Sequence, residues 1–258
     1  MNPLQLALIE KYGNDNGFEY VLVSGANGVT LASARHPARA LVSIESDAYR
    51  LQFQSASTTL CAELERSFPQ FCGGADRFTV QGEAALAALL RRAASLARAL
   101  PNQAVTDFQQ AIATELSTLP TSVVGTEVER LVRQRVGQDC FRAAMLDYWG
   151  GACAVTGVSV PEVLRASHAK PWAECASDAE RLDVFNGFLL TANLDALFDR
   201  FLIGFDQRGI LMTSPRLSSH DMSRLGISTT MRLRWLAEHH HPYLNYQRER
   251  LLGPAASN

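Results

Sequence analysis

Residues 165 to 208, RASHAKPWAECASDAERLDVFNGFLLTANLDALFDRFLIGFDQR, constrain the fold more than any other part of this chain. Ala166 to Ala169 reads as a short strand, closed by Lys170-Pro171-Trp172. The polar loop AECASDAERLDV has no apolar period, and Asn186-Gly187 is a turn signal before the β-like run Phe188-Leu189-Leu190. Asn193 is placed to cap a helix containing Leu194, Leu197, Phe198 and Phe201. The expected unit is strand, loop, strand, helix.

Upstream, residues 3 to 12 read as a short helix with Gly13 as its stop. Phe18–Ser24 with Val29–Ser33, and Ala40–Ile44 with Tyr49–Phe53, read as two hairpins. Helices are expected over 58–68, 82–100 and from Pro101 to about Leu116, with a short strand at Arg77–Val80. Strands early and helices late make residues 1–118 an α+β domain without a chemical motif. His36, in a loop before Pro37, reads as solvated.

STLPTSVVGT, at 117–126, reads as the boundary to a second domain, 119–258. A helix from Thr126 is expected to break at Gly137 and resume over Gln138–Trp149. ACAVTGVS reads as a strand and turn, and the tail as one or two helices around Pro242.

Bulk properties exclude more than they assign. The five cysteines form no CxxC pair and are odd in number, which argues against disulfides and a four-cysteine zinc site and favours buried thiols. No apolar run approaches the roughly 18 residues of a membrane span, and no secretory leader is evident, so a cytoplasmic protein is expected. A net charge of −2 leaves any nucleic-acid face to local clusters such as Arg130, Arg133, Arg135 and Arg142. Adjacent helical residues point in different directions, so His239-His240-His241 does not read as a metal site.

Asp195 and Asp199 are one helical turn apart and share a face. Two carboxylates beside apolar residues repel, and a hard divalent cation with oxygen ligands relieves that repulsion. Phosphodiester hydrolysis uses such a cation together with a base, and His168 titrates in the right range. Taken singly, each residue also has a plain reading: a helix-dipole aspartate, a surface ion pair with Arg200 or Arg208, a structural histidine.

The blocks CAVTG, ASHAKPW and RLDVFNGFLLTANLDALFDRFLIGFD, in this order, resemble an HNH endonuclease domain. The likeness is to the branch with SHxxPW, then NGxxL, then LxxLFDxGxI, and it runs from TEVERLVRQRVGQDCFRAAML to about Arg250. It implies a ββα-metal nuclease domain with flanking helices behind the N-terminal α+β domain. His168 takes the place of the general base, and Asn186 that of the asparagine tying the loop to the strands. Asp195 stands where the final histidine of the pattern falls, and Asp199 in the second ligand position. Carboxylates there favour Mg²⁺ or Mn²⁺ over Zn²⁺. Ser167 stands where many members place a metal ligand.

Lys170, Arg200, Arg135 and Arg142 are the candidate phosphate contacts, with Gln138 on the helical face of the last two. Trp172 reads as packing under the loop. The implied activity is metal-dependent endonucleolysis of DNA, RNA being open, in restriction or defence, with a homodimer allowed. The alternative is a protein of the same fold that binds nucleic acid or a ligand without cutting. Residues 1–118 would serve as a recognition or sensing module.

Overall fold

The computed structural model describes residues 1–55, 59–74, 76–118 and 126–252. The expected boundary at 117–126 therefore lies largely outside the described residues. The chain is α+β and divides into two compact units, Met1–Gln103 and Ala104–Asn258.

The first unit opens with α1 (Pro3–Asp15), capped by Asn2 in a reciprocal capping box with Gln5. Five strands follow: β1 (Tyr20–Gly25), β2 (Gly28–Ala32), β3 (Arg39–Glu45), β4 (Ala48–Gln54) and, after α2 (Thr59–Ser67), β5 (Arg77–Val80). They pair in chain order as an antiparallel meander. Alternation decides which face is buried. Ala40 and Val42 of β3, Leu51 and Phe53 of β4, and Phe78 and Val80 of β5 are all buried, while Leu41 between them is 39% exposed. α3 (Glu83–Ala99) buries Leu86, Leu89, Leu90 and Ala93 at helical spacing, and α1 and α2 pack on it.

Two expectations fail here for one reason, close packing. α1 runs through Gly13 to Asp15 instead of stopping there, and the glycine makes room for Leu31, whose methyls would lie 2.8 Å from a Cβ. His36 is buried rather than solvated; its Nε2–H donates to the Gly17 carbonyl at 3.0 Å and its ring meets Phe18 edge-on. Burial pushes the His36 pKa below its ordinary value.

The second unit is built around one hairpin. α4 (Pro101–Thr118) is followed by α5 (Thr126–Trp149), a single helix where a break at Gly137 was expected. A Cβ at Gly137 would sit 2.0 Å from the Trp172 ring, so the glycine admits the indole and does not end the helix. Residues 150–160 form turns rather than a strand, with Cys153 N–H on the Val158 carbonyl at 2.8 Å. β6 (Leu164–His168) then pairs antiparallel with β7 (Gly187–Thr191), and the intervening loop carries α6 (Asp178–Arg181).

α7 (Ala192–Phe198) starts after Thr191, so Asn193 lies inside the helix rather than at its cap. Both α5 and α7 pack on the hairpin, so β7 is buried from Gly187 to Leu190. That two-sided burial explains a continuous apolar run instead of alternation. The unit closes with the hairpin of β8 (Ile203–Phe205) and β9 (Leu211–Thr213), then α8 (Ser219–Arg224) and α9 (His241–Leu252). No described helix is long and apolar enough to cross a membrane. All five cysteines are free, but only Cys153 and Cys175 are buried and Cys72 is exposed, against the expectation of buried thiols throughout.

The register sets the position of every residue that follows. His168 pairs with Gly187, and Ser167 with Phe188. A Cβ at Gly187 would fall 2.2 Å from the Ser167 carbonyl oxygen, which is backbone and cannot swing aside. Gly187→Ala is therefore expected to destabilise the protein by about 3 kcal/mol through overpacking. A denaturant midpoint equal to that of the unsubstituted chain would refute this register.

Candidate active site

A cleft of about 570 Å³ opens between α5, β6 and the end of α7, and His168, Asp195 and Asp199 all line it. The strand-loop-strand-helix unit thus brings together the three residues that the sequence singles out as base and metal ligands.

His168 ends β6 and is held on two sides. Its ring stacks on Phe141 of α5 at 3.7 Å between centroids, and Trp172 approaches it edge-on at 6.0 Å. Its Nε2 lies 2.8 Å from the Arg181 carbonyl oxygen, which can only accept, so Nε2 carries the proton. The lone pair then belongs to Nδ1, which makes no protein hydrogen bond among the described residues. Burial lowers the His168 pKa to about 4, below the near-neutral range expected from the sequence, so the ring is neutral at pH 7 but a weaker proton acceptor than a solvated imidazole.

The carbonyl that fixes this tautomer is itself fixed. Arg181 donates through Nε to the Trp172 carbonyl, through one terminal nitrogen to the Cys175 carbonyl, and through the other to Asp178. Asn186, fully buried, closes the same loop: Oδ1 accepts from the Lys170 N–H at 2.8 Å, and Nδ2 donates to the carbonyls of Lys170 and Glu180. Asn186 does not line the cleft, and its contacts tie the loop to the segment that follows β6. The loop without apolar period is a hydrogen-bonded brace.

Asp195 Oδ1 accepts the Ser167 hydroxyl at 2.6 Å. Ser167 is buried, so the residue at the expected ligand position serves to orient Asp195. Asp199 follows one turn later, its N–H on the Asp195 carbonyl at 2.9 Å, at the C-terminal boundary of α7. Asp199 is exposed as a residue, yet its carboxyl pKa is pushed up to about 6, first by partial desolvation at the cleft and then by the Asp195 charge; Arg200 offsets only part.

Among the described residues no group of three or more His, Cys, Asp and Glu side chains is arranged to hold a metal ion. The carboxylate pair still fits one particular class. Mg²⁺ and Mn²⁺ accept one or two carboxylates and keep several waters, whereas a structural zinc site needs four protein ligands. Desolvation raises the Asp199 value first and the Asp195 charge second, and a divalent cation would offset both.

The proposed phosphate contacts are placed unequally. Arg142 and Gln138 line the cleft, and the Arg142 guanidinium donates to the Leu164 and Pro161 carbonyls. Arg135 is paired with Glu115, and Lys170 donates to Glu180 at 2.7 Å; neither lines the cleft. Arg200 is exposed beside Asp199. The histidine run diverges: His240 is buried while His239 stacks on Phe185.

Two further residues line the cleft, Arg165 and Phe201, and Phe201 lies beyond α7 rather than within the helix expected to contain it. Arg165, three residues before His168, lines the cleft with an exposed side chain whose guanidinium donates only to nearby carbonyls. Phe201 lines it with φ at +52°. The signal for Phe201 was available, since it stands where the pattern LxxLFDxGxI has glycine.

Residues 153–206 match the family model for HNH endonuclease. The HNH match lies within the C-terminal half and contains the whole of β6, β7 and α7 with His168, Asn186, Asp195 and Asp199. It suggests a nuclease, and with it a nucleic-acid substrate and a divalent metal. No curated protein matches the chain.

Proposed function

We propose that this protein is an endonuclease that hydrolyses phosphodiester bonds of DNA with Mg²⁺ or Mn²⁺, acting in restriction or defence. The observation that carries this reading is the pairing of His168 with Asp195 and Asp199 in one cleft, with the His168 tautomer set by the Arg181 carbonyl. Residues 1–118 would act as the recognition or sensing module, in a cytoplasmic protein able to form a homodimer.

His168 Nδ1 accepts a proton from water as the water oxygen attacks phosphorus, and the bond from phosphorus to the bridging oxygen breaks. The imidazolium so formed keeps Nε2–H on the Arg181 carbonyl, whose dipole stabilises the new charge. A divalent cation, when bound, supplies positive charge opposite the scissile phosphate and the leaving oxygen. Asp195, oriented by Ser167, and Asp199 are the residues that would hold it. Arg165 and Arg142 supply cationic character on the β6 and α5 sides of the cleft.

The engagement of Ser167 with Asp195 favours one second reading, a protein of this fold that binds without cutting. Purified protein incubated with supercoiled plasmid and Mn²⁺ separates the two. Nicked or linear product that disappears with EDTA is expected; intact plasmid across duplex and single-stranded substrates would establish the non-cutting reading.

A further inference from the structure

The end of α7 is a Schellman turn with the wrong residue for its geometry. Leu202 N–H donates to the Leu197 carbonyl at 2.9 Å and Phe201 N–H to the Phe198 carbonyl at 3.0 Å. This double bond pattern places Phe201 at the left-handed position that glycine ordinarily fills. Phe201 occupies it at φ +52°, a conformation a bulky side chain rarely adopts and which persists mainly where a functional site demands it. Phe201 is among the residues that line the cleft with His168, Asp195 and Asp199.

The other cleft aromatics are already employed. Phe141 stacks on His168, Trp172 packs against Gly137 and His168, and Phe198 meets Phe188 and Phe205. Phe201 alone of the four has no ring partner among the described residues, and it is only half-buried. A half-buried ring without an aromatic or cationic partner among the described residues, beside the proposed phosphate-cleaving centre, suits the flat face of a nucleobase. In an intact duplex every base face is covered by its neighbours. A base that is unpaired or turned out of the stack offers the surface that this ring lacks.

Resting on the nuclease reading, we propose that Phe201 stacks on an unpaired or flipped-out base next to the scissile phosphate. The preferred substrate is accordingly a strand with an unstacked nucleotide at the cut site, in single-stranded, gapped or bubble DNA, over continuous duplex.

The test uses the full chain and a 2-aminopurine-containing single strand, alone and fully paired. Binding is read by fluorescence in Ca²⁺, cleavage in Mn²⁺. Unsubstituted protein is expected to bind the single strand roughly tenfold more tightly than the duplex. Phe201→Gly should abolish that preference while holding or raising Tm, because it relieves the left-handed strain; Phe201→Tyr should retain the preference. A Phe201→Gly variant with an unchanged preference, or a sharp fall in its Tm, would assign the ring to packing and overturn the proposal. So would unsubstituted protein that binds both forms equally or neither. If no substrate is cut, the nuclease reading fails separately, and the binding preference still decides the stacking role.

Discussion

His168→Ala is expected to slow phosphodiester cleavage by about 10²- to 10⁴-fold, the range over which a positioned base contributes. Metal affinity should stay unchanged, because His168 holds no carboxylate and is no part of the proposed ligand pair. Titration of Mn²⁺ into the variant measures that directly. Stability carries a second signature. The His168 pKa in the fold is about 4, against an ordinary 6.5, so as pH falls the unfolded chain takes up the proton first. The stability tied to the neutral ring is complete above pH 6.5 and declines toward pH 4, by at most about 3 kcal/mol. Alanine has no proton to gain. The variant should be less stable than the unsubstituted protein at pH 7, where it lacks the ring stacked on Phe141, and should close that gap by pH 4. Cleavage at the original rate would remove His168 as the base.

The parts of this site that were legible in the sequence are those fixed by local rules. The Asn-Gly turn, the apolar run after it and the four-residue spacing of the aspartates each follow from backbone geometry over a few residues: Asn186 ends a short 3-10 turn before β7, the run is β7 itself, and Asp195 and Asp199 lie in α7 and at its C-terminal cap. Close approach between distant segments obeys no local rule. Gly13 and Gly137 look like helix stops because glycine favours stops, yet both serve a neighbour's side chain, Leu31 and Trp172. His36 looks solvated in sequence and is buried against Phe18 for the same reason. The brace made by Arg181 and Asn186 was only half legible. Asn186 announces itself through the turn, whereas Arg181 acts through its backbone carbonyl, which any residue could supply. Phe201 was hidden differently, as one mismatch within a fitting pattern.

Asp199→Asn tests the electrostatics of the cleft from both sides. The Asp199 pKa, raised to about 6 from 3.8, means that between those values the folded protein keeps a proton the unfolded chain has released. The contribution to stability is full only below pH 3.8 and is lost as pH rises from there through 6, the opposite slope to His168. Asparagine removes the ionisation and its penalty. Without divalent metal, Asp199→Asn should melt above the unsubstituted protein at pH 8 and level with it at pH 4.

Mn²⁺ should raise the Tm of the unsubstituted protein at pH 8, not at pH 4 where the proton competes, and should leave the variant almost unmoved. Activity goes the other way: removing the carboxylate should lower cleavage by about 10²- to 10³-fold, the scale for losing one electrostatic stabiliser of the transition state. The acid limb of the pH–rate profile then has a definite owner. His168 stays neutral down to about pH 4, so the fall near pH 6 belongs to Asp199 and should shift to lower pH as Mn²⁺ is increased. An acid limb that ignores metal concentration, in a protein whose Tm at pH 8 ignores Mn²⁺, would place the cation elsewhere than on Asp195 and Asp199.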